Sequence, residues 1–314
     1  MRHLKLLKSM STGTQLTLSD LDPYLPLSRS DVSNPQHPSL DNSPSLTDGQ
    51  PQPPPWEFAP ILVASNKEGI DIVASKTLLF AAHNNTFAFR WKADVRRWQG
   101  CPSLPQEQLD VQNSDPCFWQ YFVAGADAFL TNDLNTNLGL ANGTPFKLHS
   151  LTFSSQDQLD AVLSDIASSH PGDVITLDEP PLAVNLLLPS TFDSKTTPSC
   201  RRTAQLNIFK CHSLSKDDIV TPLPVMRGRT KVHAHPVHSP SGFGKAHTKD
   251  VFPYELAFAM TVHKAQGRTI PWVVLALAHR DNSRTQMSCA SICVALSRVK
   301  LPSNLRILHH SSGP

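Results

Sequence analysis

Thr261, His263, Lys264, Gln266 and Gly267 stand in one short segment, Thr-Val-His-Lys-Ala-Gln-Gly, and Arg298 follows about thirty residues later in Val-Ala-Leu-Ser-Arg. A hydroxyl, an ammonium, an amide and a guanidinium are groups that address phosphate oxygens, the guanidinium through its planar fork of donors. Gly267 suits a helix stop, because glycine tolerates the left-handed conformation that closes a last turn. Arg298 also admits a plainer role: it can cap a helix carboxyl end and make a surface ion pair worth under about 1 kcal/mol.

These groups need elements to hold them. Leu256, Ala257, Phe258, Ala259, Met260 and Val262 form an apolar run that predicts a helix packed against a sheet. Pro271 to Ala278 is a continuous apolar run of strand length, as expected for a parallel strand buried on both faces. Cys289 to Val299 reads as a buried helix that delivers Arg298 from its carboxyl end, and Leu305 to Leu308 returns as a strand. The succession strand–helix–strand argues an α/β fold. Upstream, Ile61 to Ala64 predicts a buried strand, Asn66 a cap for a helix reaching Phe80, and Thr86 to Trp91 a second strand. Asn66 and Lys67 fit either a ligand-facing position at a strand's carboxyl end or a plain cap with a solvated lysine. Trp91, Trp98, Phe118 and Trp119 fit either base stacking or a core.

Four segments carry a resemblance. FPYELAFAMTVHKAQGRTI and SICVALSRVK resemble the fifth and sixth motifs of superfamily 1 helicases, in the PIF (petite integration frequency) and RecD-like branch. Trp56 to Glu68 resembles that family's fourth motif, and Asn137 to Thr144 (NLGLANGT) resembles the segment that precedes the family's inserted small barrel. The resemblance implies a RecA-like parallel-sheet lobe, the second motor domain of a helicase, with an inserted β-rich, barrel-like domain. It implies that Arg298 reaches the γ-phosphate of ATP across an inter-lobe cleft, a role worth roughly 10³–10⁵ in rate. It places Gln266 and Gly267 near the nucleotide, and Thr261, His263, Lys264, Asn142 and Thr144 near single-stranded DNA. ATP with Mg2+ is the implied cofactor of the intact enzyme, and DNA repair and recombination are the implied settings. A nuclear location is expected in a eukaryote, with a mitochondrial one as the alternative.

ATP hydrolysis needs a glycine-rich loop of the form GxxxxGK[ST]. None of the 13 glycines begins it, and Gly242-Phe243-Gly244-Lys245 continues with Ala246. The expectation is therefore a carboxyl-terminal half that lacks the phosphate-loop lobe, needs that lobe as a partner, and neither binds ATP tightly nor turns it over alone. An ATPase-incompetent single-strand DNA-binding module is the alternative. Val174 to Leu177 followed by Asp178 and Glu179 mimics a magnesium-holding acidic motif, but its place after the fourth motif matches a strand that enters a Pro-Pro turn, here Pro180-Pro181.

The expected organisation is a residual inter-lobe segment and linker at 1–55, the lobe at 56–150 and 250–314, and the insertion at 151–249. Apolar residues make up 39% of the chain, low enough to predict unpacked sequence. Ser28 to Pro55, poor in large apolar residues and rich in proline, predicts a disordered or extended linker, with Pro-rich recognition at Pro51 to Pro55 left open. The basic, acid-poor start, with Arg2, Lys5 and Lys8, fits an organelle transit peptide or a remnant of the preceding lobe. Ser154-Ser155 predicts a cap for a helix whose apolar face is Leu159, Val162, Leu163 and Ile166, stopped by Pro171-Gly172. Between Arg201 and Lys249, nine Lys/Arg face only Asp217 and Asp218, so this segment carries +7 while the whole chain carries +2. Arg227, Arg229 and Lys231 alternate along one strand face, a geometry that tracks a phosphate backbone or solubilises a strand. Six cysteines without a CxxC pair suit a reducing compartment. His233, His235, His238 and His247 with Cys211 and His212 lack a second regular pair, so no metal is expected. No apolar run reaches a membrane-spanning length.

Overall fold

The computed structural model describes residues 25–26, 56–96, 116–189, 207–208, 219–223, 225–231, 246–277 and 287–309. In chain order the elements are β1 (Leu25–Pro26), β2 (Ile61–Val63), α1 (Asn66–His83), β3 (Ala88–Lys92), β4 (Asp94–Arg96), β5 (Trp119–Val123), β6 (Asp127–Leu130) and β7 (Pro145–Thr152). Then come α2 (Gln156–Ala167), β8 (Val174–Leu177), β9 (Ala183–Leu188), β10 (Asn207–Ile208), β11 (Ile219–Leu223), β12 (Met226–Lys231) and β13 (Ala246–Val251). The last are β14 (Tyr254–Leu256), β15 (Ala259–Thr261), α3 (Val262–Ala265), β16 (Val273–Leu277), α4 (Cys289–Leu296) and β17 (Leu305–His309). The chain divides into two compact units, one from residues 1–76 and 257–314, the other from 77–256.

The first unit is α/β. Its sheet has the order β1-β17-β16-β2-β15, and every pairing is parallel. The continuous apolar runs explain this: Ile61, Leu62 and Val63 are all buried, as are Val273 to Ala276. Strands covered on both faces have no polar positions to alternate with. Trp56, Ala59, Ile61, Val63, Ala259, Val274 and Ala276 form one core cluster, with Ile72 and Val73 of α1 packed against it. Trp56 meets Trp272 edge-on at 5.7 Å, and the Arg306 guanidinium lies 4.3 Å from the Trp56 ring centroid. Within α1, the Lys76 ammonium donates to the Glu57 carbonyl. Burial brings this ammonium from its ordinary 10.5 down to about 8, partly opposed by the Glu57 carboxylate.

That lysine makes stability depend on pH. Its folded pKa lies below its unfolded one, so between about pH 8 and 10.5 the unfolded chain holds the extra proton. Stability is therefore expected to rise with pH across that window, by at most about 3 kcal/mol. Urea unfolding at pH 8 and pH 10.5 measures it, and Lys76→Met is expected to flatten the rise; an equal rise in that variant would assign it elsewhere.

The second unit is mostly β. One sheet runs β11-β9-β7-β6-β14, with β10 beside β7, and two three-stranded sheets have the orders β12-β13-β4 and β5-β3-β8. Phe89, Trp91, Phe122, Leu148, Phe153 and Leu186 are among its fully buried side chains. Gly172 has φ +96, and a Cβ there would lie 2.9 Å from the Ala82 Cβ, so both the turn and the close approach require glycine. Tyr254 donates to the Tyr121 carbonyl at 2.7 Å, and burial pushes its phenol well above the ordinary range, so it stays a neutral donor.

Several expectations are corrected. The run Leu256 to Val262 is not one helix: it ends β14, turns, forms β15 and enters the single turn of α3. A short run that is buried throughout has no period to separate strand from helix. The cap of α1 is Ser65, whose Oγ accepts from the Glu68 N–H at 3.3 Å, and Asn66 is the first helical residue. The helix before Arg298 stops at Leu296, and only Ala295 and Leu296 of it are buried, with Cys289 exposed. On α2, Ser155 caps as expected, but only Leu159 and Val162 are buried and Leu163 is 45% exposed. The linker and leader readings concern residues outside the described set, apart from the backbone of β1.

Candidate functional site

In the first unit, Asn66, Lys67 and Thr261 stand where two neighbouring strands leave the sheet. Val63 and Thr261 are register partners on β2 and β15, so both strands leave the sheet at the same carboxyl edge. In open parallel sheets this edge is where ligands bind. From β2 the chain passes through Ser65 to the exposed Asn66 and Lys67 at the start of α1. From β15 it passes through Thr261, 8% exposed, into α3, where Val262 and Ala265 face inward and His263 outward.

The segment after α3 is built by backbone bonds. The Gln266 N–H donates to the His263 carbonyl at 3.2 Å and the Arg268 N–H to the Ala265 carbonyl at 3.1 Å. Gly267, at φ +80, makes the reversal, and nothing lies within 4 Å of where its Cβ would be. Exposed Gln266 and Gly267 therefore offer an amide side chain and an unshielded stretch of backbone.

Arg298 joins this loop to α4 in two ways. Its carbonyl accepts from the Ile270 N–H at 2.9 Å, and its Nη1 donates to the Arg268 carbonyl at 3.1 Å. Nε donates to the Val294 carbonyl at 3.0 Å and Nη2 to the Ser297 hydroxyl at 2.7 Å, while that hydroxyl donates to the Val294 carbonyl at 2.8 Å. A guanidinium has five N–H groups. One on each terminal nitrogen remains without a partner among the described residues, which leaves a two-pronged donor. Close by, burial pushes the Cys293 thiol up, with Cys289 adding and Arg298 opposing.

The structure thus brings Thr261, His263, Lys264, Gln266, Gly267 and Arg298 to one region of the first unit. Asn66 and Lys67 are also in the first unit, whereas Asn142, Thr144, Arg227, Arg229 and Lys231 belong to the second. Thr144 turns its hydroxyl into its own loop, donating to the Gly139 carbonyl at 2.8 Å and accepting from the Ala141 N–H at 3.0 Å. Asn142 is exposed, with its backbone N–H bound to Asp133 Oδ1 at 2.8 Å. Arg227, Arg229 and Lys231 occupy alternate positions of β12, opposite Asp250, Thr248 and Ala246 of β13. Asp178 and Glu179 are exposed beyond β8, where the strand enters the turn at Pro180-Pro181.

Of the aromatic candidates, Trp91 and Phe118 are buried, Trp119 is half-buried, and Trp98 lies outside the described residues. Arg90 and Lys92, not singled out from the sequence, both lie against the Trp119 ring. The available signal was their alternation along Thr86 to Lys92, which marks an outward face. Among the described residues no group of three or more His, Cys, Asp or Glu could hold a metal. His233, His235, His238, Cys211 and His212 lie outside that set, and His247 is on β13. No helix among the described residues is long and apolar enough to cross a membrane.

No family model matches the chain, and no curated protein does. Solved structures do. The Pif1 helicase from Candida albicans aligns with 98% of this chain and 53% of its own, at 15% identity and a TM-score of 0.49. Bacteroides Pif1 bound to single-stranded DNA aligns over 98% and 48%, at 12% identity and a TM-score of 0.46. Bacteroides Pif1 in complex with ADP-AlF3 and single-stranded DNA aligns over 100% and 49%, at 14% identity and a TM-score of 0.44. The chain spans about half the length of each of these proteins.

Proposed function

We propose that this chain is the carboxyl-terminal half of a PIF-like DNA helicase: a RecA-like lobe with an inserted, barrel-like β domain. The whole machine would couple ATP hydrolysis to stepping along single-stranded DNA, 5′ to 3′ by resemblance, and to duplex unwinding. The observation that carries this reading is the motif loop itself: Thr261 and His263 precede the Gly267 turn, and Arg298, with one N–H on each terminal nitrogen uncommitted among the described residues, holds the Arg268 carbonyl directly after it. Such a fork suits a terminal phosphate, and the exposed Gln266 and Gly267 suit the remainder of a nucleotide. Mg2+ needs oxygen ligands, and the segments that carry these residues, 63–68, 261–270 and 297–299, hold one carboxylate, Glu68. The metal would therefore come with the phosphate-loop lobe, supplied by further sequence or another polypeptide.

A second reading is a DNA-binding module without ATPase. It is favoured by the Arg298 bonds to the Val294 and Arg268 carbonyls, which a purely structural arginine would also make.

One experiment tests the DNA-binding half of both. Fluorescein-labelled dT20 is titrated with the purified chain by anisotropy between 50 and 300 mM salt, while ATP turnover is followed in parallel. The expected result is salt-sensitive binding without turnover, weakened about tenfold when His263→Ala and Lys264→Ala are combined. Unchanged affinity in that double variant would remove the segment from the DNA path.

A further inference from the structure

The sheet β5-β3-β8 has two unlike faces. Register sets Arg90 opposite Tyr121 and Lys92 opposite Trp119, and places Arg90 beside Thr176 of β8. One face is apolar and closed: Phe89, Trp91, Phe122, Ile175 and Leu177 are each at most 4% exposed. On the other face, Ala88 and Val123 are covered at one end. Toward the other end stand Arg90, Lys92, Trp119, Tyr121 and Thr176, none of them buried.

These side chains are organised. The Arg90 guanidinium lies 4.5 Å from the Trp119 ring centroid, and its Nε donates to Thr176 Oγ1 at 3.0 Å. The Lys92 ammonium lies 5.4 Å from the same ring. A hydrogen bond and a cation–π contact therefore hold the Arg90 guanidinium, while both its terminal nitrogens have no hydrogen-bond partner among the described residues. A guanidinium held over an indole joins a cation with free donors to an aromatic ring, and a second cation stands two residues further along the strand. Bases stack on such rings and phosphates bind such cations, without regard to sequence.

We propose that this face is a second contact for single-stranded DNA, separate from the Thr261 to Gly267 segment, with Arg90 and Lys92 on successive phosphates and Trp119 supporting a base. The exposed Asp178 and Glu179 lie beyond the end of β8, so the strand would run along β3 and β5 rather than across β8. The proposal stands whether or not the chain belongs to an ATP-driven motor.

The test uses the full chain and fluorescein-labelled dT20. Trp119→Ala is expected to weaken binding about tenfold or more, and Trp119→Phe to keep most of the affinity. Arg90→Gln is expected to weaken binding and lower the slope of log K against log salt by about 0.7, the share of one phosphate contact. Circular dichroism and the urea midpoint verify folding, and Arg90→Gln together with Lys92→Gln carries the test should Trp119→Ala unfold. With 5-iodouracil strands, ultraviolet crosslinks are expected on the peptide that holds Trp119. Wild-type affinity in Trp119→Ala and Arg90→Gln, or crosslinks confined to residues 257–270, would overturn the proposal. The latter result would leave the Thr261 to Gly267 contact intact, whereas loss of binding only in the His263/Lys264 variant would assign the DNA path to that segment alone.

Discussion

With a phosphate-loop lobe supplied, Arg298→Ala is expected to lower ATP hydrolysis about 10³-fold or more and to change dT20 affinity less than about twofold. The fold should survive the change, because the bond that ties the loop to the corner after α4 runs from the Ile270 N–H to the Arg298 backbone carbonyl. What is lost is the guanidinium, with its three bonded directions and its two free prongs. Arg298→Lys should fail nearly as badly: an ammonium is a point charge, and it cannot span the Arg268 and Val294 carbonyls while also forking around a phosphate. Steady-state turnover with saturating single-stranded DNA measures this. Parallel loss of DNA binding would sink the phosphate role. Full turnover with a lowered unfolding midpoint would make Arg298 a brace for the end of α4 and favour the DNA-binding module.

The largest stability effect is expected at Trp91→Ala. Trp91 is 1% exposed, lies between register partners on β5 and β8, and meets Phe252 edge-on at 5.7 Å. Truncating a buried tryptophan costs about 3–5 kcal/mol, against a usual total of about 5–15 kcal/mol. The second unit should therefore unfold at a much lower urea concentration, seen as early loss of circular dichroism and of protease resistance in residues 77–256. The adjacent Lys92→Ala points outward and should fall within about 0.5 kcal/mol of wild type. A Trp91→Ala change below about 1 kcal/mol would mean the ring does not sit in a tight core.

These two neighbours also show what sequence reading can reach. Strands buried on both faces were legible because unbroken apolar runs such as Pro271 to Ala278 fit little else at that length, and α2 was legible through Ser155 and its helical spacing. Gly267 was legible because a helix end asks for φ above zero. Leu256 to Val262 was not: solvent touches too little of it to leave a period, and its assignment to β14, β15 and α3 is decided by strands far away in sequence. The face at Arg90 was half legible. Alternation marks 90 and 92 as outward, but that Trp119 lies across from Lys92 is a matter of register between separate segments. Likewise, Ser-Arg at a helix end suggests a cap or a phosphate ligand, and only the partners of Arg298 show that the same group has donors for both.

The order in which the first unit's strands appear has a consequence for how the protein is made. β2 leaves the ribosome 196 residues before its neighbour β15 begins. At usual elongation rates of about 5–20 residues per second that is roughly 10–40 s. Throughout that interval Ile61, Leu62 and Val63 have neither of their eventual partners, β15 and β16. All pairings of the second unit's largest sheet, by contrast, are complete once Leu256 has emerged. Synthesis thus favours early closure of the 77–256 unit while a sticky, unpaired strand waits ahead of it, and nascent-chain chaperones would find their strongest target at Trp56 to Val63.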